Sequence, residues 1–174
     1  MKPFDQNIVL IGFMGTGKTT VANALRQRFG MDVIEMDQII AEREGMSISE
    51  IFRVHGEPYF RDAETRLLVE LQQQSNVVIS CGGGTPLREV NVAEMKKNGK
   101  VVLLTAEPET VFDRVKDSHD RPVIENNKNA AYIAELMEQR RPKYEAAADI
   151  IIHTDGKSAV QICEEIAAEV CAEK

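Results

Sequence analysis

The sequence predicts an α/β fold built on one parallel sheet, and three observations predict it. Short runs rich in Val, Ile and Leu alternate along the chain with longer segments of helical periodicity. The first of these runs passes through a glycine-rich loop into a helical pattern. The 174 residues, 43% hydrophobic, suffice for an ordinary buried core without disulfide or metal staples.

Five segments read as strands: 7–11, 32–36, 76–80, 100–105 and 149–153. Their short aliphatic runs suit strands covered on both faces. Between them, helical spacing marks 18–29, 49–55, 59–73, 89–97, 108–116 and 130–144, with a last helix from about Ala159. Capping-box patterns, Ser47-Ile48-Ser49-Glu50 and Ser158-Ala159-Val160-Gln161, open two of the helices. In the last helix Val160, Cys163, Ile166 and Val170 recur at helical spacing as the expected buried stripe, with Glu164, Glu165, Glu169 and Glu173 on the wet face. Strands alternating with helices imply right-handed crossovers and a single sheet. Residues 1–174 read as one domain, interrupted by a polar stretch at about 117–129 that is expected to be a surface loop.

With 28 acidic against 21 basic residues, the net charge of −7 argues against nucleic acid or anionic membrane as partners. Any anion must therefore meet a local basic island. No apolar run approaches the roughly 20 residues of a membrane span. Cys81, Cys163 and Cys171 are odd in number and lack metal-ligand spacing. Cys163 and Cys171 fall eight residues apart on one predicted helix, about 12 Å along its axis, too far to bridge. A reduced, cytoplasmic monomer is the expectation.

Gly12-Phe13-Met14-Gly15-Thr16-Gly17-Lys18-Thr19 follows the first strand and opens the first helix, the context a phosphate-binding loop requires. Glycines let backbone N–H groups converge on phosphate oxygens, Lys18 brings a point charge, and the Thr19 hydroxyl is a Mg²⁺ ligand. The positive end of the helix dipole adds to them. Asn127-Lys128-Asn129-Ala130 lacks the Asp with which a GTPase reads its base. A small-molecule kinase remains, and it must hold an acceptor hydroxyl in line with the terminal phosphate.

Four features offer an acceptor site. Asp37 ends the second strand; Arg61 and Glu64, at i and i+3, face the same way on one helix; Gly82-Gly83-Gly84 follows the third strand; and Arg140-Arg141-Pro142 sits late in a helical pattern. Each has a plainer reading: a helix cap, a solvated ion pair, a turn, and cations answering a helix dipole. Together with the phosphate loop they describe an acidic base beside carboxylate-binding arginines.

These motifs, with Glu35, the Phe60-Arg61-Asp62-Ala63-Glu64 stretch, Asp120-Arg121-Pro122 and Arg140-Arg141-Pro142-Lys143-Tyr144, closely resemble shikimate kinase in order and spacing. The resemblance implies a three-layer nucleoside-monophosphate-kinase-like fold, with a five-stranded parallel sheet ordered 2-3-1-4-5 and a mobile lid. It also implies phosphorylation of shikimate by ATP with Mg²⁺. Another small P-loop kinase, such as a gluconate kinase, or a non-catalytic nucleotide-binding protein is the alternative.

Carried over, Asp37 is the candidate base, Lys18 and Arg121 join it in catalysis, and Gly15, Thr16, Gly17, Lys18, Thr19, Thr20, Arg114 and Arg121 contact ATP. Arg61 and Arg140 hold the shikimate carboxylate, Gly82, Gly83 and Gly84 border the ring, and Glu64 orients Arg61. Thr19 and, through water, Glu35 hold the metal. The family usually has Asp where this chain has Glu35, so metal geometry is expected to shift while charge is kept. Phe13 is expected to line the acceptor site, Cys81 to pack as a small buried hydrophobe, and His55, His119 and His153 to take no part in catalysis.

Overall fold

The computed structural model describes residues 4–117 and 129–172. Its five parallel strands lie in the order β2-β3-β1-β4-β5. They are β1 (Asn7–Ile11), β2 (Asp32–Glu35), β3 (Val77–Ser80), β4 (Gly99–Thr105) and β5 (Ile150–His153). The central strand β1 pairs Ile8 with Val78 of β3 and with Lys100 of β4.

Alternation along β1 builds a core on each face of the sheet. Ile8 and Leu10 join Val21, Ala22 and Leu25 of α1 (Lys18–Phe29) and Ile162, Cys163, Ile166 and Val170 of α8 (Ala159–Ala172). Val9 and Ile11 join the opposite core, with Phe13 and Met14 of the loop. That layer is carried by α2 (Met36–Glu44), α3 (Ile48–His55), α4 (Glu57–Leu71), α5 (Glu89–Lys97), α6 (Pro108–Val115) and α7 (Ala130–Ala147). The phosphate loop is thus anchored in one core at its start and in the other at its helix.

Both capping boxes form: Ser47 with Glu50, and Ser158 with Gln161. Several boundaries differ from the sequence expectation. Strand β2 stops at Glu35, and the unpredicted α2 begins at Met36, because Met36 and Ile40 share one buried helical stripe. Asp37 therefore stands in the first turn of a helix rather than at a strand end. Helix α4 starts two residues early, at Glu57, with Pro58 in its first turn, where a missing N–H costs nothing. Strand β3 begins after Asn76, whose φ of 60° breaks the extended run. Val160 is exposed, and Ile162 takes its place on the buried stripe of α8.

Cys163 and Cys171 fall on α8 as expected, and all three cysteines are free thiols. Burial, with the nearby Glu64 charge, pushes the Cys81 thiol far above its ordinary pKa, leaving it an inert packing group. Among the described residues no helix is long and apolar enough to cross a membrane.

Candidate active site

Two clefts open at the carboxyl ends of the strands, where open α/β sheets bind ligands. The first, of about 490 Å³, is lined by Gly15, Thr16, Gly17, Lys18, Thr19 and Thr20 of the loop and by Arg114 of α6. The second, of about 700 Å³, is lined by Arg61, Glu64, Gly82, Gly83, Gly84 and Arg140. They meet at a seam of shared residues that includes Thr19, Glu35, Asp37, Gly82 and Gly83. The structure thus brings together, around these two clefts, every site residue expected from sequence within the described chain except Phe13. Arg121, with the rest of the expected lid from 118 to 128, lies outside the described residues, as does His119.

In the first cleft the Lys18 ammonium donates to the carbonyls of Gly12 at 2.8 Å and Phe13 at 3.0 Å. Arg114 donates to the Gly15 carbonyl at 2.7 Å, which ties α6 to the loop. Asp155, just beyond β5, accepts from the Glu107 N–H at 2.8 Å and the Thr110 hydroxyl at 2.6 Å, and so holds the start of α6. The bond from Thr110 leads in holding the Asp155 carboxyl below its ordinary pKa. Lys157, in the turn after β5, also lines this cleft and pairs with Glu165 at 2.6 Å. Sequence reasoning passed over it; the signal was a basic side chain just past a strand's carboxyl end.

In the second cleft Arg61 is fixed from two sides. Its Nε and Nη2 donate to Glu57 at 3.2 and 2.9 Å, and its Nη1 donates to Glu64 at 3.0 Å. Its guanidinium carbon also lies 5.3 Å from the Phe60 ring centre and 5.9 Å from that of Phe52. Burial works against the Arg61 charge, but attraction and hydrogen bonding to Glu64, with Glu57 behind, outweigh it and raise its pKa. Glu57, one turn earlier at i−4, is a partner the sequence reading missed.

Arg140 is buried and its guanidinium lies 5.5 Å from the Phe13 ring centre. Phe13 is therefore a platform beneath Arg140 rather than part of the cleft wall, and Met14 lines the cleft instead. Arg141 points outward to pair with Glu138.

Glu64 is fully buried, accepting from the Thr85 hydroxyl at 2.7 Å and from Arg61. Burial raises its pKa, against Arg61 and the Thr85 bond, and the Asp37 charge pushes the same way. A carboxyl whose folded pKa exceeds its unfolded value stabilises the fold while protonated, below the unfolded pKa. That contribution is lost as pH rises through the folded pKa. Glu64→Gln is therefore expected to gain thermal midpoint relative to the parent as pH is raised from about 4 to about 8. A midpoint difference that stays flat across that range would show that Glu64 ionisation is not what costs stability there.

A family model described as shikimate kinase matches residues 14–171. A shikimate kinase of Persephonella marina is 43% identical over 165 residues, covering 95% of this chain and 99% of that protein. The solved shikimate kinase from Acinetobacter baumannii in complex with shikimate superposes with a TM-score of 0.93 at 30% identity, covering 99% of this chain and 96% of that one. A gluconokinase from Sinorhizobium meliloti, at 18% identity and a TM-score of 0.61 over 98% of this chain and 94% of its own, shares the fold alone. Taken with the paired arginines of the second cleft, these likenesses place the chain in the shikimate kinase family.

Proposed function

We propose that this chain transfers the terminal phosphoryl group of ATP to the 3-hydroxyl of shikimate, yielding shikimate 3-phosphate and ADP for aromatic amino-acid synthesis. The observation that carries the reading is the seam: Asp37 stands where the phosphate-loop cleft opens into a cleft bordered by Arg61 and Arg140. Two guanidinium groups suit a carboxylate, because planar N–H pairs match its two oxygens. A carboxylate held there directs the far side of the ring toward the loop.

In the proposed step the loop N–H groups and Lys18 stabilise charge on the phosphates, with Thr16, Thr20, Arg114 and Lys157 on the nucleotide. Asp37 orients the acceptor hydroxyl and takes its proton as the new O–P bond forms and the bond to ADP breaks. Arg121 joins the transferred phosphate in this proposal on sequence grounds, as part of a lid that excludes water.

The residues present fit Mg²⁺. Glu35 Oε1 is buried without a hydrogen-bond partner among the described residues, and Thr19 lines the same cleft. When bound, the ion supplies charge neutralisation at the phosphates. One domain belongs to the same proposal, supported by the single sheet into which all five described strands enter, and a monomer is proposed with it.

The test is ADP release from MgATP with shikimate, gluconate, AMP, CMP or no acceptor. Turnover is expected with shikimate alone. Turnover with gluconate instead would move the substrate assignment, and nucleotide binding without turnover on any acceptor would favour a regulatory protein.

A further inference from the structure

The glycine turn after β3 and helix α7 are joined through one phenol. The Tyr144 hydroxyl donates to the Gly83 carbonyl at 2.6 Å and accepts from Arg140 Nη1 at 3.4 Å. Tyr144 follows Arg140 by four residues, so both side chains leave the same face of α7. It is 5% exposed, and burial raises its pKa, with the Arg140 charge opposing; the hydroxyl stays protonated at neutral pH.

The two arginines of the cleft are held by different chemistry. Arg61 is gripped by two carboxylates, so the Glu57–Arg61–Glu64 cluster with all three ionised sums to −1. Among the described residues Arg140 has a neutral hydrogen-bond partner, the Tyr144 phenol, and an uncharged platform, the Phe13 ring. It is thus positioned, among the described residues, without a carboxylate bonded to it. Its margin is narrow, since a methyl group added at Gly83 would lie 3.3 Å from Arg140 Nη1.

We infer that Tyr144 is a positioning residue for acceptor recognition, setting the Arg140 guanidinium at a fixed place beside the Gly83 backbone while leaving its charge for the substrate carboxylate. The inference rests on the shikimate reading above. Arg61, between its two carboxyl partners, supplies direction, whereas Arg140 supplies attraction that no bonded carboxylate among the described residues offsets. A carboxylate in place of the phenol would fix Arg140 equally well and cancel that attraction.

Steady-state kinetics of Tyr144→Phe, Lys143→Met and Gly83→Ala test it. Lys143 donates to the Leu87 carbonyl at 3.0 Å, so Lys143→Met loosens the same junction without touching the phenol. Tyr144→Phe is expected to raise the KM for shikimate about tenfold, with kcat and the KM for ATP within about twofold. Gly83→Ala, which crowds Arg140 with the phenol in place, is expected to raise the same KM and serves if the Phe variant proves unstable. Lys143→Met is expected to match the parent.

An unaltered shikimate KM in Tyr144→Phe overturns the inference, as does an equal rise for both substrates or a Lys143→Met variant with the same defect. A parent enzyme inactive on shikimate overturns the functional reading and this inference with it. An active parent whose Phe variant is kinetically unchanged overturns this inference alone.

Discussion

Asp37→Asn is expected to lower kcat with shikimate by about 10²–10⁴-fold, the range typical of a lost general base. Asp37 lies at the seam of the two clefts and packs so closely on the glycine turn that a methyl group at Gly82 would stand 2.8 Å from its Oδ1. Asn matches the carboxylate in shape, so the packing survives while the proton acceptor is lost. The KM for ATP is expected to hold, since the loop, Lys18 and Arg114 are left unaltered at the nucleotide end of the seam. Single-turnover measurement of phosphoryl transfer separates this step from product release. A fall of less than about tenfold would make Asp37 an aligning group rather than the base.

The second large effect falls on binding. A methyl group at Gly84 would land on the Arg61 guanidinium. Gly84 has φ −91°, which any residue adopts, so Gly84→Ala is a steric test free of backbone strain. Arg61 can yield only by leaving Glu57, Glu64 and its contacts with Phe52 and Phe60. The KM for shikimate is expected to rise roughly 100-fold, in line with removing one partner of a hydrogen-bonded charge pair. The KM for ATP should stay near the parent value. Arg61→Ala should reproduce the split; equal loss of both substrates in either variant would mean that Arg61 serves the nucleotide cleft as well.

The fold was legible where hydrophobic period and glycine placement agree. Strand β1, its loop and α1 follow from Ile8–Leu10, the Gly-x-x-x-x-Gly-Lys-Thr spacing and the stripe of Val21, Ala22 and Leu25. Helix α2 was hidden because its nine residues give a short stripe, Met36 and Ile40, that reads equally well as the end of a strand. The exposed Val160 shows the matching limit at a helix start, where a residue at the right spacing stands in the first turn outside the core while Ile162, two residues on, is buried.

The site was legible in its charged residues, because Lys18, Asp37, Arg61 and Arg140 carry chemistry that a short motif can announce. Glu64 apart, what those residues lean on was not. Glu57 stands at i−4 from Arg61 but was hidden while the helix was expected to begin at Tyr59. Phe13 and Tyr144 act through packing and hydrogen bonds set by tertiary approach, such as the 2.6 Å contact across 61 residues from Tyr144 to Gly83. No spacing rule in one sequence encodes a contact of that kind.

The phosphate loop begins among side chains of one core, Phe13 and Met14, and ends in a helix whose Val21, Ala22 and Leu25 belong to the other. A nucleotide seated there is linked to the folding equilibrium of both layers at once. At 100 times its dissociation constant a ligand stabilises the folded state by about 2.7 kcal/mol. Neither layer can melt on its own without forfeiting that contribution, so a saturated loop raises the cost of opening either face by as much as it raises the cost of unfolding the whole.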